Sequence, residues 1–180
     1  MMQIDDKDIY TIMQADSERG MRLIMHKYGE CIYWHVRRLL VNHDDAQDAT
    51  QETFIKVFRS FRSLKDPKAM RTWIYRIATN VSLSIIERGK APQELLENID
   101  KSGVDVAADS YMDYSDLEAV KLQKAIQLLP PKQQATFNMR YYDEMEYSQI
   151  AEATETTVST VKVNYHLAKE KIIKYMNSND

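Results

Sequence analysis

Apolar residues return at intervals of three and four along most of the chain, the period of helices with one buried face. The clearest case is IAEATETTVSTVKVNYHLAKEKI, Ile150 to Ile172. There Val161, Tyr165, Ala168, Ile172 and Met176 form one stripe, and Thr157 stands where a hydroxyl caps a helix start. The pattern predicts a short helix, a tight turn and a longer helix with a polar outer face. Ser159, Thr160, Lys162, Asn164 and His166 fall off the stripe, where a helix in a major groove offers hydrogen-bonding groups. An ordinary helical hairpin with a solvated face fits equally well, so this segment alone does not decide.

Upstream, one helix is predicted from Asp5 to about Ala15 and a second from about Glu18 to Val41. The second turns Tyr28, Ile32, His35 or Val36, and Leu39 inward. Asn42-His43-Asp44 reads as a turn, with Asp44 or Asp45 capping a helix from Ala46 to Phe61. Asp66-Pro67 sets a capping carboxylate before a proline in the first helical position. The helix it opens reaches about Arg88, with Met70, Ile74, Ile77, Val81 and Ile85 buried. Further on, Leu117 to Leu129 is helical, Pro130-Pro131 stops it, and another helix runs to about Tyr142 before the helix-turn-helix.

Four glycines, four prolines and no alternating strand pattern predict an all-α protein. Ala91 to Asp116 carries Pro92, Gly103, scattered Asp and Ser, and little periodicity. It is expected to be a flexible acidic linker. The expected organisation is therefore two small helical domains, 1–90 and 117–180, around a linker at 91–116, each domain with its own core.

Charge sharpens that division. The net charge of −3 divides into +3 over residues 1–90, −7 over 91–118 and +1 over 119–180. From Lys56 to Lys90 nine basic residues face two acidic ones, interleaved with Phe58, Phe61, Trp73 and Tyr75. A basic surface attracts phosphates and exposed aromatics stack on unpaired bases, a combination suited to single-stranded DNA. Trp73, Arg76 and Asn80 form one line at i, i+3 and i+7. Phe58 and Phe61 are expected in the core. One cysteine, Cys31, cannot staple a fold, the start MMQIDDKDIY is no secretory signal, and no apolar run nears the ~18 residues of a membrane span. A soluble, cytoplasmic protein is expected.

At this point two motifs resemble a known family. DDAQDATQETFIKVFRSF followed by MRTWIYRIATNVSLSIIERGK is similar to region two of extracytoplasmic-function (ECF) sigma factors, the short members of the sigma-70 family. LLPPKQQATFNMRYYDEMEYSQIAE, continuing into the helix-turn-helix, resembles their region four. The resemblance implies that Asp48, Gln51 and Glu52 dock on the clamp helices of the largest subunit of core RNA polymerase. It implies that Lys68, Arg71, Trp73, Arg76 and Asn80, with the loop Ser63–Lys68, capture and melt the minus-ten element. Thr157, Ser159, Thr160, Lys162, Val163 and His166 would read the minus-thirty-five element. The implied partners are core polymerase (clamp and flap), promoter DNA and an anti-sigma factor, often membrane-anchored. No cofactor, metal or catalytic residue is implied.

This sequence departs from the pattern at Glu155, where the turn usually has glycine. Glu155 must then adopt a left-handed conformation, costing roughly 1 kcal/mol, or the turn differs. Leu167 stands where many relatives carry arginine, so the recognition helix is less basic than usual, and binding at that element is either weaker or leans on apolar contact with thymine methyls. Rival readings explain less. A stand-alone helix-turn-helix regulator leaves the docking helix and the basic helix unused. An anti-sigma protein would lack its own DNA-reading helices. A zinc site at Cys31 and His35 lacks further ligands.

Overall fold

The computed structural model describes residues 4–89 and 117–178. The expected linker, 91–116, lies outside the described residues. Helix α1 spans Asp6–Ala15, α2 Ser17–Leu39, α3 His43–Ser60 and α4 Met70–Gly89. In the rear half α5 spans Leu117–Gln127, α6 Pro131–Tyr141, α7 Tyr147–Thr154 and α8 Val158–Met176. Short 3-10 turns at Phe61–Ser63 and Pro67–Ala69 lead into α4. No strand occurs among the described residues.

Local chemistry sets the boundaries. Asp16 accepts from the Arg19 amide at 3.0 Å and starts α2. The cap of α3 is Asn42, not Asp44 or Asp45. Its side-chain oxygen accepts from the amides of both, at 2.8 and 3.3 Å. Such a cap contributes roughly 1 kcal/mol, and the two aspartates in the first turn then suit the positive end of the helix. Asp66 caps the turn carrying Pro67 by accepting from the Lys68 amide at 2.9 Å. Thr157 caps α8, accepting from the Thr160 amide at 3.1 Å. Gly20 lets α1 and α2 meet, for a Cβ there would lie 2.5 Å from the Met13 Cα.

The inward faces follow the helical period. Tyr28, Ile32, His35, Val36 and Leu39 are all buried on α2, as are Val161, Ala168 and Ile172 on α8, while Tyr165 and Met176 are half-buried. The core itself does not divide as expected. One apolar cluster runs from Ile9, Ile24, Ile32, Phe54 and Val57 through Ile74 and Val81 into Met139, Met145, Ile150 and Val161. A smaller cluster, with Ile126, Leu129, Phe137, Ala168 and Ile172, belongs to the rear half alone. The separate front and rear cores anticipated from sequence are thus joined.

Helix α4 is the junction. Besides Met70, Ile74 and Val81 it buries Thr72, Trp73, Tyr75, Ala78, Thr79 and Ser82. It packs on α2 and α3 and also under α6 and α7. A helix covered on two sides must be small or apolar on both, and the alternation of Ala, Thr and Ser opposite Ile and Val meets that need. Each fully buried Ile along this seam contributes roughly 1.5–3 kcal/mol.

Candidate nucleic-acid interface

Two helices carry the residues expected to meet DNA, and the fold treats them oppositely. On α8, Thr157, Ser159, Thr160, Lys162, Val163 and His166 are all exposed. The Thr157 and Thr160 hydroxyls lie 2.9 Å apart, and His166 Nε2 sits 3.3 Å from Glu170. Lys162 Nζ lies 5.9 Å from the centre of the Tyr147 ring. Glu155, just before the cap, is left-handed at φ 54° and ψ 42°. The turn therefore keeps its shape and the strain falls on that residue.

On α4 the expected set is scattered. Lys68 and Asn80 are exposed and Arg71 is half-buried. Arg76 approaches Glu155 at 3.9 Å across the two halves. Trp73, expected as an exposed stacking surface, is instead only 8% exposed. Its ring meets Phe61 edge-on with centroids 6.3 Å apart. The reason is its place: Trp73 is followed by Ile74 and Tyr75 on a helix buried on both sides.

The rear half holds this helix through Asp143, in the turn between α6 and α7. Arg71 Nη2 donates to the Asp143 carbonyl at 2.7 Å, and the Tyr75 hydroxyl donates to its carboxylate at 2.9 Å. Arg38 Nη1 lies 3.7 Å away and His35 Nδ1 also 3.7 Å. Gln134 Nε2 donates to the Arg38 carbonyl at 2.9 Å, and the Arg38 guanidinium lies over Tyr142, 4.2 Å from its ring centre. Burial pushes the Asp143 carboxyl above its ordinary value, against the pull of Tyr75, Arg38 and Arg71. Burial, aided by Arg38, pulls His35 down to about 3, so it is neutral and its contact with Asp143 is no ion pair. His35 Nε2 instead bonds the Thr79 hydroxyl at 2.9 Å. His35 Nδ1, Arg38 Nη1, Asp143 Oδ2 and both side-chain polar atoms of Asn138 lack a hydrogen-bond partner. Nothing in the sequence marked Asp143; the pairing joins residues some seventy positions apart.

The docking candidates sit on α3. Asp48 and Gln51 are exposed, and Glu52 pairs with Lys56 at 3.1 Å. Beside them an apolar groove of about 730 Å³ opens between α2 and α3, lined by Met21, Met25, Gln51, Phe54, Ile55 and Phe58. Phe58, expected in the core, is 46% exposed and forms its rim, while Phe61 is buried as expected. Little in the sequence warns of this, since at about 100° per residue Phe58 stands only about 40° around α3 from the buried Phe54. Among the described residues no group of His, Cys, Asp or Glu could hold a metal ion, and no helix is long and apolar enough to cross a membrane.

Comparison with known proteins matches this layout. Residues 24–91 fit the family described as sigma-70 region 2, and residues 119–172 fit sigma-70, region 4. The RNA polymerase sigma-H factor of Pseudomonas aeruginosa is 27% identical, over 97% of this chain and 95% of its own. The ECF sigma factor SigW of Bacillus subtilis is 29% identical, over 85% of this chain and 87% of its own. Among solved structures, CnrH in complex with the cytosolic domain of CnrY superposes with a TM-score of 0.72 at 14% identity, over 97% of this chain and 99% of that one. RpoE in complex with the anti-sigma factor NepR from Bartonella quintana gives 0.60 at 16% identity, over 92% and 99%. With two region matches in order across about two thirds of its length, the chain belongs to the ECF branch of the sigma-70 family of RNA polymerase sigma factors.

Proposed function

We propose that this sigma factor docks on core RNA polymerase through α3 and delivers it to promoters by two separate DNA contacts. Asp48 and Gln51, with the groove rimmed by Ile55 and Phe58, form the polymerase contact. Lys68, Arg71, Arg76 and Asn80 line the path of the melted minus-ten strand, and Trp73 shapes the pocket for an extruded base. The outer face of α8 enters the major groove of the minus-thirty-five element. Extrusion of a base costs a few kcal/mol, which contacts on α4 offset. The chain supplies address rather than catalysis, and it acts in the cytoplasm, where polymerase and promoter are.

The observation that carries this reading is the presence, on one chain, of an exposed recognition helix and a basic helix covered by the rear half. While α7 lies on α4, Arg71 and Arg76 face the rear half rather than DNA. The two halves must therefore part before both promoter elements can be held. A partner that binds the closed form would keep the factor silent. The similar solved structures, complexed with the cytosolic domain of CnrY and with the anti-sigma factor NepR, support an anti-sigma partner. The test is run-off transcription with purified core polymerase on a promoter library. Defined start sites that depend on the added chain are expected. Failure to co-elute with polymerase, with no new start site, would remove the proposal.

A further inference from the structure

The reading face of α8 is short of free hydrogen-bonding groups. The Thr160 hydroxyl is engaged with Thr157, His166 leans on Glu170 and Asn164 is half-buried, which leaves the Ser159 hydroxyl and the Lys162 ammonium. Val163 is 56% exposed and Leu167 36% exposed. At about 100° per residue, Val163 stands roughly opposite the buried Val161 and Ala168, with Ser159 one turn before it and Leu167 one turn after. The centre of the outward face is thus Ser159, Val163 and Leu167. Single exposed apolar residues need no explanation. Two in line on a helix that enters a major groove do, because that groove displays one apolar group, the C5 methyl of thymine.

We propose that Val163 and Leu167 read two thymine methyls in the upstream promoter element and set its specificity there. The inference rests on the placement of α8 in that element. The two residues are four apart, a rise of about 6 Å along the helix. Base pairs stack every ~3.4 Å. The two thymines therefore lie one or two base pairs apart, on either strand. Glu170, acidic and on the same outward face, disfavours phosphate beyond Leu167, so the N-terminal half of α8 is the part that enters the groove.

The test uses holoenzyme assembled from the full chain and core polymerase, on a promoter it transcribes. Each upstream thymine is replaced singly by deoxyuridine, which pairs identically but lacks the methyl. Binding should weaken about fourfold at each of two positions, the effect of exposing one methyl-sized group, and not at others. Leu167→Ala should erase the penalty at one position and Val163→Ala at the other, as a double-mutant cycle reads it. Both residues are exposed, so folding is kept, and the deoxyuridine series on the unaltered chain needs no variant. Indifference of that chain to every deoxyuridine overturns the proposal while leaving promoter recognition intact. So does Leu167→Ala that keeps both penalties but loses polymerase, which would make the pair a protein contact. A holoenzyme that starts nowhere would instead sink the functional reading itself, and this inference with it.

Discussion

Single residues in this sigma factor carry unusual costs, and each makes a measurable prediction. His35 is buried and neutral, titrating at about 3 in the fold against 6.5 when free. Between those values the unfolded chain binds the extra proton, so stability falls as pH falls, by up to ~1.4 kcal/mol per pH unit from this group. Asp143 has the opposite sign. Its raised value favours the protonated form, so its contribution is present below about 3.8 and is lost as pH rises through the raised value. His35→Gln separates the two. Its urea midpoint should change less between pH 7 and pH 5 than that of the unaltered chain, and an equal change would place the acid sensitivity elsewhere. Glu155 gives a second case. Glycine at this left-handed position removes the Cβ clash and sacrifices only a 3.9 Å contact with Arg76 between exposed groups, which is worth little. Glu155→Gly should stabilise the chain by about 1 kcal/mol, seen as a higher denaturation midpoint. No change would mean that the turn holds Glu155 without strain.

At the scale of elements, the helices were legible because most have a single buried face and a named cap. Thr157 and Asp66 cap their helical segments as the sequence predicts, and the stripes of α2 and α8 face inward. Asn42 does not stand out in the sequence because two aspartates beside it also suit a helix start, and only geometry chooses among them. The sequence predicts an exposed Trp73 because it shows one apolar stripe on α4. The second buried face, made of Thr72, Tyr75, Thr79 and Ser82, is too polar to announce itself. That burial changes how α4 must be tested. Trp73→Ala should cost about 3–5 kcal/mol of stability as well as promoter opening, so it cannot isolate a DNA role. Arg76→Ala and Asn80→Ala lie nearer the surface and should keep the fold and polymerase binding while losing permanganate-reactive bases near the start site. Normal bubbles in both would remove them from the melting path. Lys162→Ala on α8 should weaken promoter binding and flatten its salt dependence by about one charge; an unchanged slope would deny Lys162 a phosphate.

The whole molecule turns on how firmly the rear half is held against α4. Its apolar part, Met139, Met145, Ile150 and Val161, is continuous with the front core. Its polar part is poorly matched, since His35, Arg38, Asn138 and Asp143 all leave buried atoms without hydrogen bonds. Each such atom costs about 1–3 kcal/mol while the halves are together and is hydrated once they part. A buried carboxylate between arginines contributes little net energy, yet removing it leaves uncompensated charge. Asp143→Ala should therefore open the molecule, because it strips the Tyr75 hydroxyl of its acceptor and the Arg38 guanidinium of its nearby counter-charge without touching either half's own packing. Small-angle scattering should record a larger radius of gyration for Asp143→Ala, with the helical content unchanged and tighter assembly with core polymerase. A variant as compact as the unaltered chain would show that the apolar seam alone keeps α4 covered.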